Sequence, residues 1–127
     1  HDVMQDIDIM FESLNVKNTH GIEIYQKIKT QIEFIIQDDQ IKDLFMNNKE
    51  IFLETSILCS DGKIYRPDRV VVHDTNYASL IDYKTGKEDK EHIKQIKKYE
   101  DVLFQLGYKK IQGYIVYLST GEIKKVS

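Results

Sequence analysis

Arg66-Pro67-Asp68-Arg69-Val70-Val71-Val72, followed after a turn by Leu80-Ile81-Asp82-Tyr83-Lys84-Thr85-Gly86, is the stretch on which the fold reading turns. Both runs are apolar and rich in β-branched residues, which suits strands, yet each carries a carboxylate. Side chains along a strand alternate between two faces. Asp82 and Lys84 therefore point the same way, and Asp68 shares its face with Val70 and Val72. If the runs are neighbouring strands, Asp68, Asp82 and Lys84 converge at one end of a sheet. Carboxylates among apolar neighbours are costly unless they are paired or hold a metal. Two of them beside an ammonium make an oxygen-rich site for a hard divalent cation. The competing reading pairs Asp68 with Arg66 or Arg69, and Asp82 with a lysine, as ordinary strand-end ion pairs.

Upstream, Val3, Ile7, Met10, Phe11 and Leu14 give a partly helical pattern over about residues 3 to 14. Asn18 or Thr19 caps a second helix, in which Tyr25, Ile28, Ile32, Ile35 and Ile36 recur at helical spacing over residues 21 to 36. A short helix over residues 40 to 47 follows. The pattern then changes to strands: 51 to 58, a Ser60-Asp61-Gly62-Lys63 turn, 64 to 73, and 77 to 83. Pro67 has no amide hydrogen and marks a place where pairing lapses. Asp89 caps a long helix that stops at Gly107, with Ile96, Tyr99, Leu103 and Leu106 as its buried stripe. Residues 111 to 118 form an apolar strand covered on both faces, and 122 to 126 an edge strand. The expected fold is α/β, a mixed central sheet flanked by helices in the order α-β-β-β-α-β-β, with a parallel crossover around the long helix.

The ordered set Gly21, Glu54, Pro67-Asp68, Asp82-Tyr83-Lys84, Gln95 and Tyr99 resembles the PD-(D/E)XK nuclease superfamily, and in particular its RecB-type branch. Such domains occur at the C-terminus of UvrD/Rep-like helicase–nucleases. The resemblance spans roughly residues 20 to 127 and implies a restriction-endonuclease-like core. It implies an Mg2+-dependent deoxyribonuclease, with Mn2+ as a substitute, acting on single-stranded DNA beside a helicase in repair or recombination. Asp68 and Asp82 are the expected metal ligands, joined by the backbone carbonyl of Tyr83. Glu54 is implied to face the site and complete the coordination sphere, against an outward glutamate as the alternative. Lys84 is expected to orient the attacking water and stabilise charge on the phosphate, against a surface lysine snorkelling from the strand end as the alternative.

Gln95 and Tyr99, four apart on one helix face, are implied to hold Lys84, a water or a DNA phosphate, and His92 lies on the same side. Many RecB-type domains carry a metal-binding histidine four residues after the first-helix glycine. Here that position is Tyr25, and His20 is out of register. This departure supports a rival reading: a nuclease-like fold kept as a non-catalytic DNA-binding or scaffold module.

Composition sets the frame. The 127 residues suffice for one domain, and 41% hydrophobic with 31% charged residues is ordinary for a globular chain. The single cysteine, Cys59, excludes an internal disulfide and the four-cysteine iron–sulfur cluster of some RecB-type relatives. No apolar run reaches membrane-span length and no signal-peptide pattern opens the chain, so a cytoplasmic location is expected. There is no Gly-Lys-Ser/Thr phosphate loop, hence no nucleotide binding of that kind. The net charge of −3 is unusual for a stand-alone DNA binder. It fits a monomeric piece of a larger helicase–nuclease in which another part holds the DNA.

Overall fold

Valine, isoleucine and leucine buried on both faces of a sheet build the centre of the molecule. The computed structural model describes residues 26, 29–30, 33–45, 50–84, 87–118 and 120–126. Five strands form one mixed sheet: β1 (Glu50–Leu53), β4 (Arg69–Val72), β5 (Tyr77–Lys84), β6 (Lys110–Tyr117) and β7 (Glu122–Val126), adjacent in that order. Two short strands, β2 (Ile57–Leu58) and β3 (Ile64–Tyr65), pair only with each other. Neighbours in the five-stranded sheet are antiparallel except β5 and β6, which run parallel. The connection between those two contains helix α1 (Lys90–Gln105). A parallel pair needs such a crossover, because a tight turn cannot bring the second strand back in the same direction.

Each face of the sheet has its own cover. Val70, Ala78, Leu80, Ile115 and Tyr117 face α1, where they meet Ile96, Tyr99 and Leu103. Val71, Ile81, Tyr83, Tyr114 and Val116 point the other way and pack on Ile35, Ile41 and Leu44. Burying Ile96 or Leu103 stabilises the docked helix by roughly 1.5–3 kcal/mol each. Asp89 caps α1 as expected, its carboxylate accepting the Glu91 amide at 2.9 Å. At the far end Gly107 takes φ +112°, and its amide donates to the Phe104 carbonyl.

The expected strands at 51–58 and 64–73 are each broken in two. Glu54 adopts φ +46°, which turns the chain out of β1. Pro67 can donate no ladder hydrogen bond, and β4 starts only at Arg69. The outer halves of both runs peel away as the β2–β3 hairpin. The short helix expected at 40–47 is a 3₁₀ turn over Lys42–Phe45. The helix expected at 21–36 is described only in part, with residues 33–35 helical. The one expected at 3–14 lies outside the described residues, as do Gly21, Tyr25, Thr85 and Gly86.

Candidate metal centre

β4 and β5 decide where the two acids go. Arg69 lies opposite Ile81, and one step further in that register Asp68 faces Asp82 and Pro67 faces Tyr83. Regular pairing stops here, and the carboxylates take over. Asp68 accepts the Tyr83 amide at 2.8 Å, while the Asp68 amide donates to Asp82 at 3.3 Å. Each aspartate is thus fastened to the backbone beside the other. Both lie on the α1 face, as parity predicts.

Lys84 completes the cluster. Its Nζ lies 2.8 Å from Oδ2 of Asp82, with side chains 21% and 5% exposed. The same ammonium donates to Oε1 of Gln95. A lysine can only donate, so the amide of Gln95 must present its oxygen there. Its Nε2 then donates to the Tyr99 hydroxyl at 3.1 Å. Asp82, Lys84, Gln95 and Tyr99 form one connected line from β5 to α1.

The electrostatics follow from burial and like charge. Asp68 is pushed up to about 8, first by loss of solvent and then by the neighbouring Asp82 charge, although the Tyr83 amide works against this. Tyr99 is raised to about 12 by burial and by the two aspartates. Its ring is 8% exposed within the α1 face of the core. One residue therefore serves both packing and the site, with an apolar body and a polar tip.

Other expected participants are placed elsewhere. The carboxylate of Glu54 lies 3.5 Å from Arg66, whose Nε also donates to the Glu54 carbonyl at 2.8 Å. The Glu54 amide donates to the Asp68 carbonyl at 3.1 Å, so its backbone abuts the site while its side chain is engaged with Arg66. His92 is within hydrogen-bond distance of the Tyr117 hydroxyl at 3.1 Å, away from the carboxylates. The ion pairs weighed for Asp68 are not what forms. Arg66 takes Glu54, and Arg69 points to the opposite face, donating to the Leu44 carbonyl at 2.8 and 3.1 Å. For Asp82 a lysine partner does form, and it is Lys84.

Among the described residues no group of three or more His, Cys, Asp or Glu side chains could hold a metal. The donor set is two carboxylates, which leaves most of a coordination sphere to water and substrate oxygens. Magnesium tolerates that arrangement, since it is held by one or two carboxylates and keeps several waters. Zinc prefers three or four nitrogen or sulfur ligands. Asp68 is raised chiefly by burial and next by the Asp82 charge, so positive charge beside the pair would lower the cost of ionising both. Sequence reading overlooked Arg66 as the partner of Glu54, a pairing that becomes local only after both strands break.

Compared with known proteins, the chain matches no family model and no curated sequence.

Proposed function

We propose that this chain is a nuclease domain that hydrolyses phosphodiester bonds of single-stranded DNA with Mg2+ or Mn2+. The observation that carries the reading is the meeting of Asp68, Asp82 and Lys84 at the end of β5, with Gln95 and Tyr99 behind them. Its resemblance to the RecB-type PD-(D/E)XK domains supports the same chemistry. At the level of fold, the support is a mixed five-stranded sheet with a helix in its one parallel crossover.

Asp68 and Asp82 would hold the cation, with the Tyr83 carbonyl as the third ligand the resemblance implies. When bound, it supplies a Lewis acid that polarises the phosphodiester and acidifies an attacking water. Lys84 stands beside that position, fixed from two sides, so its charge is aimed before substrate arrives. Preorganised charge of this kind stabilises the developing negative charge on the phosphate at no further reorganisation cost. Gln95 keeps the ammonium from swinging onto solvent, and Tyr99 keeps Gln95 in its rotamer. In the wider proposal a helicase, in the same chain or the same complex, delivers the strand during repair or recombination.

The test is cleavage of a labelled single-stranded oligonucleotide with and without Mg2+ or Mn2+. Asp82→Ala should abolish the metal-dependent rate, and Lys84→Ala should lower it by about 100–1,000-fold, with circular dichroism unchanged. Full activity in either variant would remove this site from consideration.

Tyr25, standing where RecB-type domains place a metal histidine, favours a second reading. In it the fold is kept as a non-catalytic module that binds DNA or scaffolds a helicase complex. Mn2+ titration followed by electron paramagnetic resonance separates the two. A catalytic centre takes up an ion that Asp68→Asn or Asp82→Asn releases, whereas an inactive module takes up none.

A further inference from the structure

The β2–β3 hairpin, which leaves the main sheet, stands over α1 and creates a cleft of about 540 Å³ between them. Gln95 and Tyr99 form part of its wall, and Gln95 also accepts from Lys84, so the cleft adjoins the carboxylate cluster through these two side chains. Its remaining lining has a particular chemistry. Arg66, Lys94 and Lys98 bring cations, and Ile64 and Tyr65 bring apolar and aromatic surface from the hairpin. Tyr65 meets Tyr99 edge to face, ring centres 6.3 Å apart. Ile64 is 67% exposed and its cross-strand neighbour Leu58 72%.

Acids are present too. Lys94 lies 3.2 Å from Glu91, with both side chains 72% exposed, and Arg66 lies 3.5 Å from Glu54. Lys98 sits close enough to Asp61 to lower that carboxylate. Exposed pairs of this kind are worth little, because water screens both charges. A phosphate can therefore replace the carboxylate partner at little cost. Cations alternating with apolar and aromatic surface suit a strand whose bases are unpaired. A volume in the usual range of ligand pockets admits about one or two nucleotides, not a duplex.

We propose that this cleft is the track for single-stranded nucleic acid next to the cutting site, with Lys94 and Lys98 on its phosphates and Ile64 and Tyr65 against an unstacked base. This assignment rests on the nuclease reading but is tested without catalysis. The experiment is fluorescence anisotropy of a labelled oligothymidylate with the full 127-residue chain in EDTA, over a range of salt. The Lys94→Ala/Lys98→Ala variant should bind roughly 10–30-fold more weakly near 0.1 M salt. Its log–log salt slope should flatten by about 1.4, because each phosphate contact on a single strand contributes about 0.7. Ile64→Ser should weaken binding several-fold and leave the slope unchanged. The Lys94→Arg/Lys98→Arg variant, which keeps both charges, should bind like the parent.

Equal affinity and slope in parent and double-alanine variant would overturn the track, and so would duplex binding as tightly as single strand. Cleavage by the parent in Mg2+ is measured separately. Its absence would count against the nuclease reading while the anisotropy still decides the cleft.

Discussion

At the scale of single residues, the decisive fact is that Asp68 and Asp82 face each other with the Lys84 ammonium bonded to Asp82. Strand parity predicted which face they share. It did not predict that each carboxylate would bond the backbone beside the other, because that depends on the ladder lapsing at Pro67. The raised pKa of Asp68 has a consequence for stability. A carboxyl whose folded value lies above its unfolded value keeps a proton that the unfolded chain releases. Its contribution to stability is complete below the ordinary carboxylate range and is lost as pH climbs to about 8. Without divalent cations, thermal stability should therefore fall from pH 4 toward pH 8. Mn2+ should restore more of it at pH 8 than at pH 6, since proton and cation compete for the same oxygens. Asp68→Asn retains an oxygen that can accept the Tyr83 amide and removes the like charge. That variant should be more stable than the parent by about 1–2 kcal/mol at pH 8 in EDTA, and it should lose metal binding. Melting curves across pH check both, and an unchanged pH slope in Asp68→Asn would place the effect elsewhere.

At the scale of elements, hydrophobic period and turn residues predict the structure where local and tertiary preferences agree. β5, α1, β6 and β7 appear within a residue or two of the expected bounds. The long runs at 51–58 and 64–73 misled because Ile57, Leu58, Ile64 and Tyr65 favour extended backbone whichever sheet receives them. What separates the hairpin is the left-handed backbone of Glu54, a conformation uncommon for a residue with a Cβ and unmarked in sequence. Packing of α1 on β6 was similarly hidden. A Cβ added at Gly113 would clash with Cγ2 of Ile96 and stand 3.2 Å from Oε2 of Glu100. The same glutamate oxygen accepts the Gly113 amide at 3.1 Å. Helix and strand approach so closely here that Gly113→Ala must push α1 outward. The expected loss is about 1–3 kcal/mol, as for overpacked cores, read by urea denaturation. Because α1 carries Gln95 and Tyr99, cleavage should drop as well, even below the denaturation midpoint.

For the molecule as a whole, charge and site point in different directions, and that tension has a kinetic consequence. The chain carries 21 acids against 18 lysines and arginines, for a net charge of −3. A polyanion is therefore repelled at long range, and on the proposed nuclease reading its attraction is local, from Lys84 and from the cations of the hairpin cleft. Long-range attraction is what raises encounter rates and holds a DNA-binding protein on its track between steps. Lacking it, the isolated chain, if it is the nuclease proposed above, should release its strand after each cut. With a long end-labelled single strand in excess, the products should form a ladder of intermediates. Unlabelled competitor added after the start should stop further shortening. Tethering the chain to a DNA-bound motor replaces diffusion by a high local concentration of strand, which can raise apparent affinity by about 100–10,000-fold with no new contact. The same assay on a fusion to a helicase should then give full-length substrate and short products with little between them. A ladder-free pattern from the isolated chain would mean that it encloses the strand by itself, and the division of labour with a motor would lose its basis.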